Sequence, residues 1–245
     1  MMLTTEEKLM FEVMGAIYDS GIPVDLKGSM ALKACLIEAG YSGDTRYTLG
    51  IDANWRSSAP PPVERMTESL QKAIDRLGFD LNVSLYRMYG ESRSAGFDIA
   101  DRATGEIMFT MDVDVNQPKI PTRVYEVNGL RFCGVSPFYI IVDMISVISS
   151  DMVFQRIDDV IDLYYFSRVF EFGDAGFFHI LQSSGKTLGN FDGFLRREDD
   201  LRQAYDNFRF TGNVTKPMFD EVYRGVKEYI YTILQNEKSR ENRTQ

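Results

Sequence analysis

Val24-Asp25-Leu26-Lys27-Gly28-Ser29-Met30-Ala31-Leu32 is the segment on which the fold turns. Val24 to Leu26 reads as a short strand. Gly28-Ser29 then turns directly into a helix from Met30 to Ala39, which stops at Gly40. A strand that passes through Gly-Ser into a helix presents the first free N–H groups of that helix at the positive end of its dipole. Such an end suits a phosphate, and Ser29 adds a hydroxyl. The plain alternative is an ordinary tight turn, and the residues downstream decide between the two.

Tyr47 to Trp55 alternates. Tyr47, Leu49, Ile51, Ala53 and Trp55 fall on one face, and Thr48, Gly50, Asp52 and Asn54 on the other. Asp52 therefore sits on the polar face of a strand that follows the Gly-Ser turn. A carboxylate there can hold Mg²⁺ against a phosphate, which is what phosphoryl and nucleotidyl transfer require. Glu106 to Val115 alternates in the same way, with Asp112 and Asp114 sharing its polar face. They can complete a metal site, or stand as solvated acids on an exposed sheet face.

Outward from these strands, Thr4-Thr5-Glu6-Glu7 opens a helix with a Thr cap and acids in the first turn. Further strands are expected at Leu81 to Tyr89 and Phe97 to Asp101, a helix at Met66 to Leu77, and a hairpin turning at Asn128-Gly129. Three consecutive prolines, Pro60 to Pro62, bar any helix from crossing them. From Pro137 the spacing becomes helical, with helices expected near 138–149, 153–170, 174–183, 194–209 and 215–236 and a polar, frayed tail from Glu237. These readings give an α/β fold: a mixed sheet with flanking helices over 1–136, followed by a helical region over 137–245.

The chain has 245 residues, 44% of them hydrophobic, enough for a sizeable core. Its net charge of −9 gives it no overall attraction to nucleic acid or anionic membrane, although a local basic patch can still bind RNA. Cys35 and Cys133 stand far apart with no CxxC motif, so neither a disulfide framework nor a zinc site is indicated. A reducing, cytoplasmic setting fits. The opening residues lack the apolar stretch of a signal peptide, and the longest apolar run, Phe138 to Ile148, is too short to span a bilayer and contains Asp143. His179, the single histidine, lies in an apolar context that suggests packing, and triad chemistry has no support.

Three segments carry a family resemblance. Leu26-Lys27-Gly28-Ser29-Met30-Ala31-Leu32 resembles the opening motif of nucleotidyltransferase-fold proteins. Arg46-Tyr47-Thr48-Leu49-Gly50-Ile51-Asp52 resembles the Arg-x-Thr-x-Asp-Ile-Asp segment of the AbiEii/AbiGii toxin family, and Arg156 to Tyr164 resembles that family's Arg-x-Lys-Asp-x-x-Asp-Leu helix. The resemblance implies transfer of a nucleotide from an NTP, with Mg²⁺ or Mn²⁺, onto an acceptor such as tRNA or a protein, and a cognate antitoxin as partner. It makes Asp52 and Asp159 catalytic and Lys27, Gly28, Ser29 and Arg46 nucleotide-binding, and with it the strand-face reading makes Asp52, Asp112 and Asp114 the metal-binding candidates. Three positions depart from the pattern: Gly50 replaces the first strand acid, while Met144 and Asp158 stand where lysines are common. The departures define an alternative, a non-catalytic relative that binds a nucleotide or a partner.

Overall fold

The structure is a computed structural model that describes residues 3–57, 59–90, 93–117, 119–151, 153–171, 174–210 and 215–244, with backbone alone at 174–175 and 237–244. The chain divides into two compact units, Met1–Gly43 with Tyr47–Ser136, and Asp44–Arg46 with Pro137–Gln245. No helix among the described residues is long and apolar enough to cross a membrane.

The first unit is a seven-stranded mixed sheet with helices. In chain order it runs α1 (Thr5–Asp19), β1 (Val24–Lys27), α2 (Gly28–Glu38), β2 (Gly50–Trp55), α3 (Val63–Asp75), β3 (Leu81–Arg87), β4 (Ser94–Asp101), β5 (Ile107–Asp114), β6 (Thr122–Val127) and β7 (Leu130–Val135). The strands lie in the order β3-β4-β5-β2-β1-β7-β6. β2 pairs with β5 and β1 with β7 in parallel, and the remaining pairs are antiparallel. The α/β sheet expected from the alternating strands is therefore present.

Local chemistry accounts for the elements. Thr4 caps α1 in a full capping box, its hydroxyl accepting from the Glu7 N–H while the Glu7 carboxylate accepts from the Thr4 N–H. Asn128 and Gly129, at φ 52° and 79°, turn β6 into β7 through the left-handed region that a two-residue hairpin needs. Phe109, Met111 and Val113 of β5 are buried, while Thr110, Asp112 and Asp114 are partly exposed on the other face. Ile107, at the start of the strand, is exposed.

β2 is shorter than its alternation suggests. It begins at Gly50, and Leu49 is 68% exposed while Thr48 is buried. The physical reason is Glu7, whose buried carboxylate accepts from the Thr48 N–H and so draws the chain inward one residue before Leu49. The same Glu7 carboxylate is paired with Lys33 of α2 at 2.9 Å, both side chains being almost fully buried.

The second unit is helical: α4 (Pro137–Ile148), a 3₁₀ turn (Val153–Arg156), α5 (Ile157–Ser167), α6 (Asp174–Ser183), α7 (Asp192–Arg196), α8 (Glu198–Asn207) and α9 (Phe219–Thr244). The single helices expected over 153–170 and 194–209 are each split, the first by the 3₁₀ turn and the second at Arg197. α9, expected to end near 236, continues to Thr244. Stacked aromatics, Phe194 on Tyr223 and Tyr223 on Phe219, fill part of its core. His179 is exposed on α6 rather than packed, because the buried face of that helix is supplied by Phe177 and Ile180.

Candidate functional site

The Gly-Ser turn has the geometry of a phosphate cradle. α2 starts at Gly28, and the residue before it, Lys27, makes no side-chain cap, so the N–H groups of the first turn are not closed by it. Gly28 has φ +61°, a left-handed conformation that disfavours any other residue. A Cβ on Gly28 would lie 2.8 Å from Asp52 Oδ2. Glycine is thus required twice, once by the backbone and once by the carboxylate resting against it. Ser29 is partly exposed beside it.

Sheet register supplies the acids. Lys27 of β1 lies opposite Asp52 of β2, and Asp52 opposite Asp112 of β5. One step along, Asn54 lies opposite Asp114. Asp52 is exposed, and Asp112 and Asp114 beside it are partly exposed. Asp112 Oδ1 accepts from Tyr86 Oη and from Arg87 Nη2, each at 2.7 Å. Asp114 is paired with the Lys27 ammonium. Among the described residues no three His, Cys, Asp or Glu side chains already converge as a cation site.

The donors nevertheless fit a hard divalent ion. Mg²⁺ takes one or two carboxylates and completes its shell with water and substrate phosphates, and Asp52 and Asp112, on directly paired positions beside the N-terminus of α2, supply that number. Asn54, on the same face, adds a buried Oδ1 with no hydrogen-bond partner among the described residues. Gly50 cannot be replaced by an acid without movement, since a Cβ there would sit 2.9 Å from the Thr110 carbonyl oxygen and from Thr110 Oγ1.

The remaining candidates belong to the second unit. Arg46 donates from Nε and Nη2 to the two oxygens of Asp162, at 2.7 and 2.6 Å, with Asp158 3.8 Å away. Its charge is spent on that fork-like pair. Met144 faces the core, while its neighbour Asp143 is paired with Lys186, a cation supplied from the segment after α6. Asp159 sits on α5 with Arg156 Nη2 at 2.7 Å. Burial, and then the Asp158 carboxylate, push the Asp159 carboxyl up to about 7, outweighing the half-exposed Arg156.

This shift has a pH signature. Between about pH 4 and 7 folded Asp159 keeps a proton that the unfolded chain has lost, so its contribution favours the fold at low pH and is lost as pH rises through 7. Asp159→Asn should therefore raise stability by roughly 2–4 kcal/mol at pH 8 and by little near pH 4. Urea denaturation at the two pH values measures the difference. An equal effect at both would mean that the carboxyl titrates normally.

Tyr86, Arg87 and Lys186 are absent from the sequence expectations. Tyr86 and Arg87 are adjacent in a strand and would ordinarily point to opposite faces. A register shift between Leu85 and Arg87 brings both onto Asp112, and a bulge of this kind leaves no composition signal.

No protein-family model matches the chain, and no curated protein does. Among solved structures it is similar to MenT4, a nucleotidyltransferase toxin from Mycobacterium tuberculosis H37Rv, with a TM-score of 0.54 at 13% identity over 95% of this chain and 85% of that one. A nucleotidyltransferase-like antigenic protein from Paracoccidioides brasiliensis aligns with a TM-score of 0.46 at 15% identity, over 81% of this chain and 91% of its own. The first of these likenesses, together with the mixed sheet and its Gly-Ser helix start, shows that the chain has a nucleotidyltransferase-like fold.

Proposed function

We propose that this chain is a toxin-like nucleotidyltransferase that uses Mg²⁺ or Mn²⁺ to move a nucleotide from an NTP onto an RNA, with tRNA the first acceptor to test, or onto a protein. It would act in the cytoplasm and be held in check by a cognate antitoxin. The observation that carries the reading is the Asp52 carboxylate lying against Gly28 at the start of α2, with Asp112 in register beside it. Gly28 and Ser29 would hold the phosphates through backbone N–H groups and a hydroxyl. Asp52 and Asp112 would hold the divalent ion, which supplies neutralisation of the phosphate charge.

Incubation with each α-³²P-labelled NTP, total tRNA and Mg²⁺ or Mn²⁺ tests the reading. Label should enter RNA or protein and disappear with EDTA. Incorporation that survives metal removal would overturn the metal assignment, and no incorporation would overturn transfer.

A second reading has its own support. Gly50 has no room for an acid, Asp112 is held by Tyr86 and Arg87, and Asp114 is held by Lys27. These features suit a relative that binds a nucleotide or a partner without turnover. An NTP that raises the melting temperature with no label transferred would favour it.

A further inference from the structure

We propose that Tyr86 is itself a nucleotide acceptor, so that the protein modifies its own β3 strand. The proposal rests on the transferase reading above and names one acceptor for it.

The register forms a line across the sheet. Lys27, Asp52, Asp112, Gly96 and Arg87 are paired neighbours from β1, β2, β5, β4 and β3 in turn. The phosphate cradle, at Gly28, is at one end of this line, and Tyr86 is at the other. Tyr86 is the extra residue of the β3 bulge, between Leu85 and Arg87. Bulges re-aim side chains, and this one turns the phenol onto the functional face. The ring lies over Gly96 so closely that a Cβ there would overlap it, so the glycine makes the space the ring occupies. Tyr86 is 46% exposed, so its hydroxyl is within reach of a ligand on that face.

Nucleotidyl transfer is an in-line displacement, with the attacking oxygen opposite the leaving oxygen. Phosphates at Gly28-Ser29 place the leaving pyrophosphate at the β1 end of the line, and an attacking group must then approach from the β5 side or beyond. Tyr86 Oη is there, donating at 2.7 Å to Asp112 Oδ1. In the step, the Tyr86 oxygen bonds to the α-phosphorus and the bond from that phosphorus to the bridging oxygen breaks. Pyrophosphate leaves with the bonding pair, and the phenolic proton passes to the Asp112 carboxylate. The product is a tyrosyl nucleotide phosphodiester. A base is needed because the phenol must lose its proton as its oxygen bonds to phosphorus, and Asp112 Oδ1 already accepts from it.

The test is peptide mass spectrometry of the full chain after incubation with each NTP and Mg²⁺ or Mn²⁺, run in parallel with tRNA labelling. The tryptic peptide Leu77 to Arg87, in which Tyr86 is the one tyrosine, should gain a single nucleoside monophosphate. Tyr86→Phe, with an unchanged melting temperature, should reduce that modification to background, as should Asp52→Ala. Asp112→Asn should slow it by about 10²-fold or more. The rate constant should not change with protein concentration. Modification confined to other peptides, or RNA labelling while Leu77 to Arg87 stays unmodified, would overturn the proposal and leave the transferase reading standing. A rate proportional to protein concentration would overturn transfer within one chain. No label on RNA or protein would overturn both.

Discussion

Asp52→Ala should lower nucleotide transfer by about 10²–10³-fold or more while leaving the fold intact. The magnitude follows from position. Asp52 is exposed on β2, so its loss empties no core, yet its Oδ2 is the charged atom lying against Gly28 at the helix start. Transfer of a nucleotide concentrates charge on phosphate oxygens, and the main task of a site is to neutralise it. Asp52 also stands in register with Asp112, so the two carboxylates can share a cation at the start of α2. The measurement is initial rate of label incorporation at saturating NTP, alongside a thermal melt. Retained transfer with an unchanged melt would remove Asp52 from the site. Asp52→Asn should retain the melt and lose most of the rate, because it keeps the shape and removes the charge.

Glu7→Gln should destabilise the first unit by about 3–5 kcal/mol, the largest single effect on stability expected away from the apolar core. Glu7 and Lys33 are buried to within a few per cent of their side-chain surface. The Glu7 carboxylate accepts from the Lys33 ammonium, the Thr4 N–H and the Thr48 N–H, joining α1, α2 and the segment leading into β2. Removing its charge leaves the ammonium buried with a weaker partner. The decisive comparison is Glu7→Gln with Lys33→Met. If the buried charge is the cause, the double variant should recover much of the loss in urea denaturation. If the double variant is no more stable than Glu7→Gln, the effect belongs to the backbone contacts of Glu7.

How much of this was legible in sequence depended on how local the cause was. The strand, Gly-Ser and helix at residues 24–38 follow from short-range preference, and so do the α1 cap and the Asn128-Gly129 hairpin. β5 showed its two faces because its alternation is regular. The start of β2 was misread because Glu7, forty-one positions earlier in the chain, sets where Thr48 turns inward. The site was legible in its types and not in its pairings. Lys27, Asp52, Asp112 and Asp114 were separate candidates, and nothing local showed that Lys27 would pair with Asp114. Nor was it legible that Arg46, a nucleotide-binding candidate by resemblance, grips Asp162 over a hundred positions away. Tyr86 and Arg87 were missed for a different reason: a one-residue slip in strand pairing reverses which face a side chain takes, and no residue at Leu85 to Arg87 announces it.

The glycine at position 50 has a bearing on how this protein can change. It is paired with Thr110 in β5, and a side chain there would press on the Thr110 main chain. Two residues along the same strand is Asp112. An acid gained at position 50 would therefore tend to displace the acid already opposite Asp52, so the two gains oppose one another. A side chain at position 50 would need compensation in β5 as well, and a mutational library that varies position 50 alone should return glycine.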